Sequence, residues 1–420
     1  MPQTLAEKIL AMHSLEKGVS PGRIVRCRVS MVLANDITAP LAIDSFSQMG
    51  AATVFDRDRV ALVCDHFTPN RDIASAQQVK KVREFAREQG ITHYYEGGES
   101  GVEHALLPEL GLVGPGDIVI GADSHTCTYG ALGAFATGLG STDVAAGMAL
   151  GETWFKVPES IRVEINGRIP PDVCSKDIIL KAIGELGVDG ALYRALEFSG
   201  ETVQEMDIEA RMTMANMAIE AGGKAGLFAA DKATAAYCRE HNRRDAPEMY
   251  PDEGAKYSSR VDIDASGLVP QVACPHLPDN VCAARELGDV RVDQVVLGSC
   301  TNGRISDLRQ AAEIIRGRHV APGVRFIVLP ATPAVYSVAL KEGLLEIFLQ
   351  AGAIIGPPTC GPCLGGHMGI LAEGEVCLAT TNRNFKGRMG SLDSFVYLAG
   401  PRVAAATAVQ GRISDPGEIQ

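Results

Sequence analysis

The chain has 420 residues, enough for about two or three domains with sizeable cores; 46% of it is apolar and only 5% aromatic. A formal charge of -12 counts against a nucleic-acid-binding surface, and no apolar run approaches the ~20 residues a membrane-spanning helix needs. The opening Met1-Pro2-Gln3-Thr4-Leu5-Ala6-Glu7-Lys8 lacks the basic-then-apolar order of a secretory signal, and eleven cysteines then point to a reducing compartment, the cytoplasm.

Taken in order, Thr4 and Glu7 form a capping-box pattern that opens a helix through about Met12. Residues 23–33, rich in Val and Ile, predict a strand that ends in the polar turn Asn35-Asp36-Ile37-Thr38. Residues 59–66 predict a strand delivering Asp65 and His66 at its end, where open α/β sheets place their ligands. An amphipathic helix follows over 75–89. A second histidine, His104, stands beside Glu103. A strand over 117–121 ends in Ala122-Asp123-Ser124-His125-Thr126. This cluster is not read as a hydrolase relay, because adjacent residues on an extended chain point to opposite faces. Glycines punctuate 129–140 without forming a phosphate-binding fingerprint.

At Val157-Pro158 the texture changes. Residues 161–165 alternate as a strand, 175–186 read as a helix, and 212–220 read as a helix that stops at Ala221-Gly222-Gly223-Lys224, leaving Glu220 at its end. Residues 237–259 are polar and read as a surface connection. From about Leu287 a third α/β unit begins. It has a helix over 307–316, a strand over 324–329, a long helix over 335–350, a strand-to-turn stretch over 376–388 and a closing helix over 402–408. The expected domains are 1–157, 158–286 and 287–420. No internal repeat is present.

The last unit carries three cysteines in two loops, Leu297-Gly298-Ser299-Cys300-Thr301-Asn302-Gly303 and Pro358-Thr359-Cys360-Gly361-Pro362-Cys363-Leu364-Gly365. Soft thiolates suit iron–sulfur clusters and zinc. Three of them would leave one iron of a cubane open to act as a Lewis acid. Cys-Gly-Pro-Cys is also a dithiol loop of thioredoxin-like proteins, so iron–sulfur, zinc and redox readings stand side by side on this stretch alone. Each of the other eight cysteines reads as a small buried core residue. The forks of Arg383 and Arg388 suit carboxylate binding, or a basic surface turn.

Together these segments resemble the aconitase family. The resemblance runs almost end to end through Ala34-Asn35-Asp36-Ile37-Thr38-Ala39-Pro40, Asp65-His66, Asp123-Ser124-His125-Thr126, Gly298-Ser299-Cys300-Thr301-Asn302, Cys360-Gly361-Pro362-Cys363 and Asn382-Arg383-Asn384-Phe385-Lys386-Gly387-Arg388. It implies an α/β protein of three α/β/α domains packed around one [4Fe–4S] cluster, with Cys300, Cys360 and Cys363 as ligands and one iron open to substrate. It implies acid and hydrogen-bonding roles for Asp65, His66, His104, Asp123, His125 and Glu220. Asn35, Ser124, Arg383 and Arg388 would contact substrate, and Asn216 and Asn302 would lie near the cluster.

The implied activity is a hydro-lyase reaction on a small di- or tricarboxylate. The branch it resembles moves the hydroxyl of 2-isopropylmalate by dehydration and rehydration, in leucine biosynthesis. Homocitrate, citramalate or dimethylmalate would use the same chemistry. An RNA-binding role of the cluster-free form is a distant alternative that the acidic balance opposes. The chain stops soon after its last apolar helix, so the family's swivelling domain is expected on a separate small subunit, in a heterodimer. No nucleic-acid or membrane partner is expected.

Overall fold

The computed structural model describes residues 2–243 and 246–419. The chain forms two units, Met1–Ile165 with Asp189–Asp262, and Asn166–Val188 with Ile263–Gln420.

The first unit opens with α1 (Leu5–His13), where the Thr4 hydroxyl accepts from the Glu7 N–H and the Glu7 carboxylate accepts from the Thr4 N–H, the expected capping box. There follow β1 (Ile24–Arg28), β2 (Met31–Asn35), α2 (Ala39–Gln48), β3 (Val60–Val63), α3 (Ile73–Gln89), β4 (His93–Tyr95) and α4 (Glu103–Glu109). Next come β5 (Ile118–Gly121), β6 (Phe135–Gly138), α5 (Ser141–Leu150), β7 (Glu152–Lys156) and β8 (Ser160–Asn166). After α6 (Ser175–Leu186), which belongs to the second unit, the first resumes with β9 (Ala195–Ser199), α7 (Glu201–Glu205), α8 (Ile208–Asn216), β10 (Ala225–Phe228), α9 (Lys232–Glu240) and β11 (Ser259–Asp264).

Its main sheet is all parallel, in the order β4-β3-β2-β5-β6. The strands run β2 to β4 on one side and resume with β5 on the other. The order therefore reverses between β2 and β5, the switch point at which such sheets leave a ligand crevice. A second sheet, β10-β9-β8-β11, pairs β8, β9 and β10 in parallel. Val32, Leu62, Ile120, Phe46, Phe85 and Phe135 belong to one buried core.

The strand expected over 23–33 is two strands. β1 alternates exposed and buried and pairs antiparallel with β7, while β2 is buried throughout. Similar Val and Ile content serves both; the pairing partner decides. The helix expected over 212–220 ends at Asn216 and tightens into a 3-10 turn, Met217–Ala221, that presents Glu220. The surface connection expected over 237–259 includes residues 244 and 245, which lie outside the described residues. Met249 departs from that expectation: it is buried in the core, and its backbone bridges to Ala230.

The second unit contains α6, β12 (Gln271–Ala273), β13 (Val281–Ala283), β14 (Gln294–Leu297), α10 (Ile305–Ile315), β15 (Arg325–Val328), α11 (Pro333–Lys341), α12 (Leu344–Gln350), β16 (Ile354–Ile355), β17 (Val376–Ala379), β18 (Phe395–Ala399) and α13 (Pro401–Gln410). The sheet order is β13-β12-β18-β17-β14-β15-β16, parallel from β18 to β16. Its order reverses between β14 and β17. The long helix expected over 335–350 is broken into α11 and α12 by Gly343, whose φ of +73° leaves the helical region. Among the described residues no helix is long and apolar enough to cross a membrane.

Candidate active site

Three parallel strands of the first unit end in chemistry-bearing residues. β2 ends at Asn35, β3 runs into Asp65 and His66, and β5 runs into Asp123, Ser124 and His125. Asp36 fixes the turn after β3: its carboxylate accepts the backbone N–H groups of Asp65 (3.1 Å), His66 (2.9 Å) and Phe67 (2.7 Å). His66 Nδ1 donates to Asp65 Oδ1 at 2.6 Å, and Asp65 Oδ2 accepts the Glu103 N–H at 2.8 Å. The first turn of α4 brings in Glu103 and His104. Asn35 Nδ2 donates to Glu103 Oε1 at 3.0 Å, and His104 Nε2 donates to Asp123 Oδ1 at 3.1 Å. His104 Nδ1 lies 3.1 Å from the Tyr129 hydroxyl, which donates to the Glu103 carbonyl.

Asp123 caps a 3-10 helix, Ser124–Leu132, and accepts the His125 N–H at 2.7 Å. The extended geometry assumed for this segment is therefore replaced by a tight turn. A hydrolase relay is absent for another reason: the Asp123 carboxylate is occupied by His104 and the His125 backbone, and His125 Nε2 donates to Glu220 Oε1 at 2.9 Å. Asn216 Nδ2 donates to the Thr128 hydroxyl at 2.8 Å.

Neighbouring groups are driven to opposite protonation states. Burial, with Asp65 and Asp123 nearby, holds Glu103 well above the usual carboxyl range, which favours its neutral form. Burial opposes ionisation of Asp123 too. Hydrogen bonds from His104 and His125 outweigh it and hold Asp123 well below that range. Burial works against charge on His66, but Asp65, Asp36 and Asp123 together raise it well above the usual imidazole value. One buried cluster thus pushes Glu103 toward its neutral form, His66 toward imidazolium and Asp123 toward carboxylate. This is the division of labour that proton donation and acceptance at one pH require.

The cysteines lie at the ends of the second unit's strands. Cys300 follows β14. Cys360 caps the 3-10 turn Gly361–Leu364, which contains Cys363 and comes after β16. All three are buried. Arg304 braces the first loop by donating to the carbonyls of Thr301 (2.7 Å) and Cys300 (3.0 Å). Asn382, just past β17, donates through Nδ2 to Cys300 Sγ at 3.1 Å and accepts from the Cys363 thiol at 3.4 Å. Arg388 donates to Cys363 Sγ at 3.6 Å.

Hydrogen bonds from Cys360 to Cys300 and Cys363, together with burial, push the Cys360 thiol well up. Three buried sulfurs this crowded resist ionising together unless a cation neutralises them. An all-sulfur donor set is the kind iron–sulfur clusters use. The residues present fit such a group.

Asn302 sits between two partners: its Nδ2 donates to Asp307 at 2.9 Å, and its Oδ1 lies 3.5 Å from Lys176 Nζ. Arg383 and Arg388 are half-buried in the stretch after β17. Sequence reasoning missed Asp36, Tyr129, Asn382 and Lys176 as site residues. Asp36 and Asn382 stood at predicted strand ends and could have been found there. Lys176 lay in a predicted helix and carried no signal.

A model of the aconitase family (aconitate hydratase) matches residues 7–287 and 283–411. The chain belongs to the aconitase family. Among curated members of this family, it is 68% identical to the 3-isopropylmalate dehydratase large subunit of Nitratidesulfovibrio vulgaris (strain DSM 19637 / Miyazaki F), over 100% of both chains. It is 66% identical to that of Oleidesulfovibrio alaskensis, over 99% of both. It is 58% identical to the 3-isopropylmalate dehydratase large subunit 1 of Pyrococcus furiosus, over 99% of both. A crystal structure of Thermococcus kodakaraensis aconitase X in its holo-form aligns with a TM-score of 0.50 at 14% identity, covering 86% of this chain and 88% of that one. That likeness concerns the fold, which is the aconitase-family α/β fold with parallel sheets.

Proposed function

We propose that this chain is the large, cluster-bearing subunit of a 3-isopropylmalate dehydratase, a hydro-lyase that converts 2-isopropylmalate to 3-isopropylmalate through 2-isopropylmaleate in leucine biosynthesis. The observation that carries the reading is full-length identity of up to 68% to curated large subunits of that name. The buried acid–imidazole network and the three-cysteine pocket supply the residue types the reaction needs.

In this reading Cys300, Cys360 and Cys363 would hold one [4Fe–4S] cluster, with Asn216 and Asn302 near it. When bound, the cluster supplies an iron with an open position, a Lewis acid that polarises the C–O bond of the leaving hydroxyl. Hydroxide is a poor leaving group, so a proton must reach it. His66, held protonated by Asp65, and His104, oriented by Asp123, provide donors, with Glu103 a neutral acid behind them. His125 and Glu220 form a second hydrogen-bonded pair that orients water. Negative charge builds beside a substrate carboxylate as the carbon-bound proton passes to a base, which in this reading the small subunit's swivelling domain supplies. The fixed donors of Arg383 and Arg388 stabilise that charge without reorganising, with Asn35 and Ser124 as further contacts.

The proposal includes a separate small subunit carrying the swivelling domain, a cytoplasmic location and the division into domains 1–157, 158–286 and 287–420. The "large subunit" in the relatives' names supports the partner. All eleven cysteines are free thiols, which supports a reducing compartment. Of the four sheets, those of five, four and seven strands support three domains, and the fourth is the β1–β7 pair.

Mixing tests the reading. The chain is purified without oxygen, loaded with iron and sulfide, and assayed for conversion of 2-isopropylmalate alone and with a small subunit. Turnover should be nearly absent alone and appear on mixing. Full turnover by the chain alone would refute the partner, and a loaded, mixed enzyme inert toward 2-isopropylmalate would refute the substrate.

A further inference from the structure

Lys176 is 0% exposed. It projects from the first turn of α6, from the stretch 166–188 that joins the second unit although most of that unit lies beyond residue 262. Its Nζ donates to the Thr381 carbonyl at 2.6 Å and the Thr380 carbonyl at 2.9 Å, and reaches Asn302 Oδ1 at 3.5 Å. An ammonium has three N–H donors and no acceptor, so three oxygens match it one for one. A lysine is rarely buried without such compensation.

The three partners have a common feature. Thr380 and Thr381 form the turn between β17 and Asn382, the residue whose amide bonds to Cys300 and Cys363. Asn302 lies in the loop of Cys300, and its other amide atom is held by Asp307, which also accepts the N–H groups of Gly303 and Arg304. Lys176 therefore ties together the two strand-end loops, after β14 and β17, that flank the sheet's switch point. It does so with a buried ammonium: burial lowers its pKa to about 8, while Cys174, Cys363, Asp307 and Cys300 favour its charged form.

We propose that Lys176 is a positioning residue of the cysteine pocket: it locks the Cys300 and Asn382 loops in register and offsets the negative charge of a cluster held by three thiolates. The inference rests on the reading of Cys300, Cys360 and Cys363 as cluster ligands. A cubane held by three thiolates is net negative, and each electron added makes it more so. A positive charge in a water-poor surrounding favours the reduced form. Removing it lowers the reduction midpoint. Loosening the two loops also lets iron escape faster to a chelator.

The experiment compares wild type, Lys176→Arg and Lys176→Gln, all loaded without oxygen. Iron and sulfide are counted, the cluster midpoint is followed by dye-mediated titration with electron paramagnetic resonance, and iron release to a chelator is timed. Lys176→Gln should show a midpoint shifted to more negative values and iron release several-fold faster, while Lys176→Arg, which keeps the charge, should stay near the wild-type midpoint. An unchanged midpoint in Lys176→Gln, or equal shifts in both variants, overturns the charge role. Should Lys176→Arg fail to fold, Lys176→Gln against wild type decides alone. Should Lys176→Gln fail, release from Lys176→Arg matched to wild type supports the role, and a shifted midpoint in it overturns the role. Wild type that takes up no iron and sulfide overturns the ligand reading itself, and this inference with it.

Discussion

At the scale of single residues, Arg383 and the buried Glu103 give the sharpest tests. Arg383→Lys keeps a positive charge but loses the planar fork, so the cluster should load normally while kcat/KM falls roughly ten- to a hundredfold, the ~1.5–3 kcal/mol of a charge-assisted hydrogen bond. Wild-type kinetics in this variant would remove Arg383 from the carboxylate clamp.

Glu103 gives a pH signature with a definite sign. Its folded value lies well above the 4.5 ordinary for a glutamate, so between the two the folded chain keeps a proton that the unfolded chain has given up. Stability therefore declines as pH rises through that window. Glu103→Gln keeps the acceptor for Asn35 Nδ2 and removes the titration. As pH rises from about 4 its melting temperature should fall less than that of wild type. Parallel curves would show that Glu103 is ionised in the folded chain.

At the scale of elements, the turn after β14 is held by backbone geometry as much as by side chains. Gly298 has φ +153°, and a Cβ there would meet Leu329 Cβ at 2.7 Å. Gly298→Ala must move either the Cys300 loop or Leu329. It should destabilise the protein by about 1–3 kcal/mol and slow cluster loading, read by thermal melting and by iron uptake. Wild-type melting and uptake would show that the loop yields without penalty. Elements also mark where local reasoning stopped. α2 was not read from the sequence, although Pro40 stands in the first turn of a helix, where proline is at home. Gly343, by contrast, was overlooked inside an apolar run long enough to suggest one helix.

At the scale of the whole molecule, the cofactor can be counted. The chain purified without oxygen should carry about four iron and four sulfide, as the cubane type requires, and no zinc. Cys363→Ser, which removes one sulfur and its contact with Asn382, should abolish both the loading and the activity measured with the small subunit. Zinc without sulfide, where iron was offered, would leave the family fold without this chemistry.

Strand ends, caps and turns are local matters. Asp65, His66, Asp123, Cys300 and Arg383 could therefore be placed at the mouths of parallel strands from the sequence alone, and end-to-end motif order sufficed to name the family. The sequence by itself determined which reactive groups exist and at which strand end each emerges, because a residue's own neighbours set those. Only the tertiary structure decided protonation and partnership: that Glu103 is pushed toward its neutral form and Asp123 toward its anion, that Asn382 bridges two cysteines, and that Lys176 is buried against a carbonyl 204 residues away. Burial and charge pairing arise where distant segments meet, and nothing in a residue's local sequence records them.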